Sequence, residues 1–485
     1  MRYYIGADLG TSAIKLLLVN ENGEVINEVS ESYPLISPKT NYSEQNPLDW
    51  FNAFKKGVKD LIREVNKDDI KGISFGGQMH GLVMLDENGD VIRPCLLWND
   101  GRSSKETEYL NSYYGKEYLV NHTGNFAFAG FTLPKLLWIK NNEPENFSKI
   151  KMILLPKDYL VYKITGGYYS DYSDAAGTLY LDVNNKCWSK EMCDIAGIDF
   201  SVLPELKESY DSVGKIIPSL ADELGLPYDI SIAMGAGDNA ASAIGMGISR
   251  HGGCNISLGT SGTVFATLDN FVKDSEVALH SFNHANGKYH LMGCILNGAS
   301  ANKWWIENIL NGSYHELAEF DVNNLGNNNV YFLPYLTGER CPHNDVDISG
   351  AFIGLRSTTT RQDMSLSILE GVVFALNNCL ELIRNKGIEI NKVTLCGGGC
   401  KTKIWPIIVA NVLDVEVVMN QTEQGPAYGA AILSMVSSGL YKDVDEAIDK
   451  LIKPISSIKP IEEVKNRYKE KYNTYLRIYP NIKNI

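Results

Sequence analysis

Asp238 is the residue whose surroundings most invite chemistry. It lies in the run Gly235-Ala-Gly-Asp-Asn-Ala-Ala-Ser-Ala-Ile-Gly245, where a short apolar strand over residues 230–234 gives way to a small-residue helix. Glycines at 235 and 237 permit tight backbone geometry and let a substrate approach without a Cβ in the way. A helix start also favours an ionised carboxylate, through the positive end of the dipole. Local sequence leaves two readings of Asp238 open: an N-cap, the common use of Asp before a helix, or a positioned base that takes a proton from an attacking hydroxyl.

Two further stretches have the composition of a phosphate cradle. Asp8-Leu-Gly-Thr-Ser12 and Leu258-Gly-Thr-Ser261 each put a glycine and hydroxyls at the tip of an expected hairpin. Such tips offer N–H and O–H donors in a small concavity, a usual way to hold phosphate oxygens. A third stretch, Cys396-Gly-Gly-Gly399, follows a strand over residues 391–395 and would let a backbone lie against a nucleotide. Each piece alone is also an ordinary turn. There is no Walker A sequence and no Gly-x-Gly-x-x-Gly after the first strand, so the two commonest nucleotide folds are not indicated.

The elements that must position these stretches alternate between strand and helix. Strand patterns cover residues 3–7, 14–19 and 24–26, helical spacing covers 49–65, and a strand over 70–75 ends in Gly76-Gly-Gln-Met-His80-Gly81. A strand at 82–85 and helical segments near 103–111, 134–140 and 156–163 follow. Leu-Gly-Thr-Ser occurs twice, and each time a strand ending in glycines comes later in the chain. Two features recurring in one order predict an internal duplication. The expected fold is therefore α/β with two similar domains, residues 1–246 and 247–485, whose hairpin tips face each other across a cleft and bracket a triphosphate.

Composition narrows the partners. A chain of 485 residues at 44% hydrophobic and 21% charged has apolar material for more than one core. A net charge of -13 without any run of Lys or Arg argues against nucleic acid or an anionic membrane as the main partner. No secretory signal and no stretch apolar enough to span a bilayer is read, and the nine scattered cysteines lack zinc-type spacing. The expectation is a cytoplasmic protein with reduced thiols.

Ten blocks, in order, resemble the FGGY family of carbohydrate kinases over nearly the whole chain. They are Asp8-Leu-Gly-Thr-Ser12, Gly77-Gln-Met-His-Gly81, Trp98-Asn-Asp-Gly-Arg102, Gly130-Phe-Thr-Leu-Pro-Lys-Leu-Leu-Trp138 and Leu155-Pro-Lys-Asp-Tyr-Leu160. The second five are Ser173-Asp-Ala-Ala-Gly-Thr178, Gly235-Ala-Gly-Asp-Asn239, Ser257-Leu-Gly-Thr-Ser-Gly262, Phe332-Leu-Pro-Tyr-Leu-Thr-Gly-Glu-Arg340 and Gly425-Pro-Ala-Tyr-Gly-Ala-Ala431. The resemblance implies two actin-like, ribonuclease-H-type domains with a catalytic cleft between them, and ATP-dependent phosphorylation of a sugar hydroxyl.

Carried over residue by residue, the resemblance puts Asp238 on the family's catalytic base and Asp8 on the carboxylate associated with Mg2+ and ATP. It puts Thr11, Ser12 and Lys15 on the first phosphate hairpin, Gly259 and Thr260 on the second, and Gly398, Gly399 and Thr402 on the turn that holds the nucleotide. Met79 and His80 fall on the sugar-contact pair, with Trp98, Asn99, Asp100 and Arg102 as further sugar or cleft contacts. His80, Met79 and Trp98 also fit as plain core residues. The likeness is nearest to members that phosphorylate D-xylulose on its 5-hydroxyl. In agreement with that, the pair at 79 and 80 offers one apolar contact and one hydrogen-bonding ring, with no Arg there to attract a sugar acid. Asn411 stands where the family leads one to expect Asp, which puts a polar contact near the nucleotide in question, and Lys15 stands where glycerol-specific relatives have Arg. Rival readings are a kinase for gluconate, ribulose or another polyol, and a non-catalytic sugar or nucleotide sensor. The expected partners are ATP and a small sugar, and the family also admits a homodimer, on which these residues are silent.

Overall fold

A computed structural model describes residues 1–274, 278–313, 320–421 and 424–484. Its frame is two mixed sheets. The first contains, side by side, Ser231–Ala233, Ile70–Gly77, Tyr3–Leu9, Ala13–Asn20 and Val25–Ser32; the second contains Glu416–Asn420, Lys392–Cys396, Cys254–Leu258, Gly262–Leu268 and Tyr289–Ile295. Strand directions match one for one: the first three of each set are parallel and the rest antiparallel. The expected duplication is therefore present in the topology. Register explains why the candidate phosphate loops cluster, because Leu9 lies opposite Gly77 and Ser257 opposite Cys396. In both halves the hairpin tip and the glycine end of the neighbouring strand share one edge of the sheet.

The first strands read as nearly continuous apolar runs because both faces are covered. Ile5, Ala7, Leu9, Ile14 and Leu16 pack with Trp50, Phe54 and Val58 of helix Pro47–Leu61. That helix starts at Asn46, whose side chain accepts from Leu48 N at 3.1 Å, with Pro47 at its first position. It ends at Leu61, short of the expected residue 65. Val25–Ser32 is longer than the sequence suggests: its half-buried and exposed positions alternate over mostly polar residues, and pairing to Ala13–Asn20 carries it.

Helix Arg361–Arg384 corrects one expectation. By length and composition it is apolar enough to cross a membrane, yet 89% of its apolar window is buried as the central helix of the second half. Val372, Leu376 and Leu380 sit in the core with Ile256, Val264 and Trp405.

Chain order and packing part company at helix Gly425–Ser437. It lies on Tyr3–Leu9 and Ile70–Gly77 of the first sheet and against helix Asp238–Gly245. The fit depends on missing side chains: a Cβ on Gly6 would stand 1.9 Å from Ala427 O, and one on Gly429 would stand 1.8 Å from Ala241 O. Gly429→Ala is therefore expected to cost at least about 1–3 kcal/mol, since the obstacle is backbone that cannot rotate away. Gly398→Ala, whose Cβ would meet nothing within 4 Å, should leave the melting temperature unchanged. Paired calorimetry checks this, and equal melting temperatures for both variants would refute the packing argument.

Candidate active site

Asp238 is the first residue of helix Asp238–Gly245, and Gly237 occupies the cap position. The N-cap reading of Asp238 is thus corrected. Its Oδ1 accepts from Asn239 N at 2.7 Å and Asn239 Nδ2 at 2.9 Å, and its other oxygen has no protein donor among the described residues. The turn ahead of it is fixed from behind. Gly237 N donates to Ser173 Oγ at 3.1 Å, Ser173 Oγ donates to Asp171, and Asp171 Oδ1 lies 2.7 Å from Lys157 Nζ. Lys157 also meets Asp158 at 2.7 Å and Asp174 at 3.6 Å, all four side chains being fully buried. Burial pushes the Asp174 carboxyl well above its usual range.

The free face of Asp238 opens on a cavity of about 250 Å³ lined from both halves of the chain. Met79, His80, Trp98 and Phe131 come from the first half, and Thr263, His280 and Arg340 from the second. His80 has φ 70°, an uncommon backbone region for a non-glycine residue. The turn is held there because His80 O accepts from Thr132 Oγ1 at 3.1 Å and Lys135 Nζ at 3.2 Å. Lys135 is buried with Gly130 O and Phe131 O as its other acceptors, and burial pulls its pKa down to about 7. The His80 ring stacks on Phe131 at 4.6 Å, and its Nδ1 is 2.9 Å from Gly177 O. A carbonyl partner assigns the proton to Nδ1 and leaves Nε2 as an acceptor. Burial, then the charge of Lys135, lowers the His80 pKa to about 3, so the ring is neutral.

Asp8 is the penultimate residue of the first strand, opposite Lys15. Burial and then the charge of Asp238 raise its pKa to about 7, while Lys15 opposes the shift. No protein donor reaches its carboxylate among the described residues. A carboxylate whose charge is made costlier by a second carboxylate, with free oxygens, suits a hard cation completed by phosphate oxygens and water, the habit of Mg2+. No group of three or more His, Cys, Asp or Glu forms a closed metal cage among the described residues. Lys15 itself reaches Gln424 and lies 3.4 Å from Glu28.

The remaining expected site residues divide. Thr11 Oγ1 accepts from Trp98 Nε1 at 3.0 Å and donates to Gln78 at 3.2 Å, which ties the 46%-exposed Trp98 to the first hairpin tip. Ser12 is exposed at that tip. Gly259 O and Thr260 O accept from Ala299 N at 2.7 Å and Gly298 N at 2.9 Å, so the second tip leans on the segment that starts helix Ala299–Trp304. Gly397, with φ 95°, presses on Leu258, Gly398 faces open space and Thr402 closes the turn. Asn99, Asp100 and Arg102 do not line the cavity. Arg102 Nη2 is 2.7 Å from Asp100 and 2.6 Å from Glu44, and its guanidinium lies 3.8 Å from the Tyr42 ring. With Ser43 N donating to Asp100 at 2.6 Å, Asp100 and Arg102 fasten a loop, while Asn99 is exposed. Asn411 is buried and accepts from Ile461 N at 2.7 Å, a structural contact unrelated to the expected nucleotide turn. A larger recess of about 800 Å³ between the helices at 361–384, 404–413 and 462–475 has most of its charges paired internally, such as Lys465 with Asp414 and Glu462.

Sequence reading did not single out Phe131, Asn239, His280 or Arg340 as site residues. Phe131 and Arg340 sat inside conspicuous blocks at 130–138 and 332–340, whereas His280 lies on a strand with no local signal.

Two duplicated lobes closing on one carboxylate define an actin-like phosphotransferase class. Residues 3–245 and 254–438 match the N-terminal and C-terminal domains of the FGGY family of carbohydrate kinases. The chain belongs to that family and is a carbohydrate kinase. It is 38% identical to a xylulose kinase of Bacillus subtilis (strain 168), covering 100% of this chain and 98% of that one. Among solved structures it resembles a xylulose ("xyloylose") kinase from Brucella ovis, with TM-score 0.93, 36% identity and full coverage of both chains. It also resembles a gluconate kinase from Lactobacillus acidophilus, with TM-score 0.93, 26% identity and coverage of 99% and 98%.

Burial raises the Asp238 pKa to about 6 from 3.8. A base must be ionised, so kcat/KM for the sugar is expected to fall as pH drops through about 6, not 4. The same shift has a stability consequence of fixed sign. A folded pKa above the unfolded one stabilises at low pH and loses that stability as pH rises through about 6. Asp238→Asn should therefore melt higher than the parent at pH 8 and equally at pH 4, a comparison that calorimetry makes directly.

Proposed function

We propose that the chain transfers the γ-phosphoryl group of ATP to the 5-hydroxyl of D-xylulose, with Asp238 as general base. One observation carries the reading: the unpartnered oxygen of Asp238 opens on a cavity that both halves close, between the sugar-facing pair Met79 and His80 and the second hairpin residues Ser261 and Thr263. Asp238 accepts the O5 proton as the O5–Pγ bond forms and the bond from Pγ to the ADP oxygen breaks. N–H and O–H groups of the hairpin tips at 10–12 and 259–261 hold the phosphate oxygens, and the glycine turn at 397–399 takes the nucleotide. Asp8 would hold Mg2+, which when bound supplies neutralisation of phosphate charge. Neutral His80 presents an acceptor lone pair and Met79 an apolar surface, and closure of the lobes excludes water. The relatives named as xylulose kinases support the sugar. The thiols of Cys95, Cys187, Cys193, Cys254, Cys294, Cys341 and Cys379 are free, which suits the cytoplasm, where ATP is available.

One observation favours a sugar acid instead. The notion that no Arg attends the sugar holds for positions 79 and 80 only, because Arg340 lines the same cavity. Initial rates of ADP release with D-xylulose, D-ribulose, glycerol and gluconate decide between these substrates. The expected ranking puts D-xylulose first by kcat/KM, and a preference for any of the others removes the D-xylulose assignment. Asp238→Asn is expected to lose about 10²- to 10⁴-fold in turnover while still binding sugar. Near-parental turnover in a folded variant would exclude Asp238 as the base.

A further inference from the structure

The cavity contains one charged group for which transfer to O5 has no use. Arg340 follows strand Tyr331–Leu333 in the second half, and its guanidinium lies 5.3 Å from the ring centroid of Phe128 in the first half. Among the described residues no acid pairs with it and no acceptor takes its N–H groups. Its neighbour Glu339 is engaged elsewhere, with Oε1 accepting from Leu296 N at 3.0 Å and from the backbone N of Arg340 at 2.7 Å. The other cations near this wall are satisfied: Lys135 by carbonyls, Arg102 by Asp100 and Glu44. Arg340 thus offers a guanidinium with only donors and no acceptor in a cavity made for a polyhydroxy ligand.

Position and chemistry narrow what it holds. The charge of Arg340 acts on His80 and His280. Its guanidinium stands 5.3 Å from the Phe128 ring, at the part of the cavity wall that Phe128 shares with His280, their ring centroids 5.1 Å apart. A 2-ketopentose can close a five-membered ring only by adding O5 to C2. If O5 is to attack phosphorus it must be free, so the reacting sugar is the open chain with its C2 carbonyl intact. With O5 at Asp238, the carbonyl lies at the far end of the molecule. A buried carbonyl needs donors, and a guanidinium supplies them in one plane.

We infer that Arg340 is a specificity-determining residue that donates to the C2 carbonyl oxygen of an open-chain ketose, selecting the ketone over the corresponding alcohols. The inference rests on the D-xylulose reading. An alditol puts a hydroxyl there whose own proton faces a donor-only group, so it gains less from the same residue.

The test compares the parent enzyme with Arg340→Met and Arg340→Lys, using D-xylulose as substrate and its two reduction products, xylitol and D-arabinitol, as competitive inhibitors. Arg340→Met is expected to lower kcat/KM for D-xylulose about 10- to 100-fold, the worth of a hydrogen bond to a charged group. Inhibition constants of the alditols should move less than about threefold on the same reasoning, and KM for ATP should hold. Arg340→Lys should recover part of the loss. Equal losses for ketose and alditols, or an unchanged kcat/KM for D-xylulose, would overturn the inference and leave the substrate reading standing. A parent enzyme that prefers gluconate, with the preference lost in Arg340→Met, would instead assign the guanidinium to a carboxylate and remove both. If Arg340→Met does not fold, Arg340→Lys carries the same ketose-to-alditol comparison.

Discussion

The contact between helices Asp238–Gly245 and Gly425–Ser437 is the constraint on which the rest depends. Both helices are built of Gly and Ala where they meet, so their backbones approach until any added methyl would strike a carbonyl. The first of these helices begins with Asp238. The second comes from the far end of the chain yet covers the first sheet, with Ala427, Ala431 and Ile432 in one core with Tyr4, Leu17 and Ile244. The position of Asp238 is therefore set by a contact between the middle of the sequence and its last quarter. A contact this close leaves no slack between the two helices.

Electrostatics around the cavity follow from dryness. Burial leaves His80 and His280 neutral and raises both Asp8 and Asp238. A carboxylate raised toward neutrality is a stronger base than an exposed one, and Asp238 is ionised above about pH 6. The charge of Asp238 adds to the cost of ionising Asp8, a cost that a bound cation would offset. Behind them, Lys157 faces Asp158, Asp171 and Asp174 in full burial, with Asp171 passing the constraint through Ser173 to Gly237. This network grips the turn from the dry side, where no ligand can reach.

Charged residues beside a site need not belong to it. Asp100 and Arg102 sit next to Trp98 in sequence, but their pairing with each other and with Glu44 turns them to holding a loop outside the cavity lining. Arg340 is the reverse case. It follows an acid, Glu339, that turns away to cap backbone N–H groups, and so it keeps its donors for the cavity. Sequence adjacency misled in both cases because a side chain's availability depends on every other partner within reach.

Much of this protein was legible in order along the chain. The repeated Leu-Gly-Thr-Ser, the glycine-ended strands and the small-residue run after Asp238 are local patterns, and local patterns fix strands, tight turns and helix starts. Repetition of those patterns carried the duplication, which the matching strand orders bear out. Tertiary structure alone decided which side chains face one another. That Asp238 is not a cap depended on where the helix begins relative to Gly237. That Asp100 and Arg102 hold a loop depended on Glu44 and Ser43 folding over them. That Arg340 and His280 enter a cavity with His80 depended on two sheets, far apart in sequence, closing across a cleft. Sequence spacing encodes which face of its own element a residue occupies; it holds no record of what the opposite lobe brings to that face.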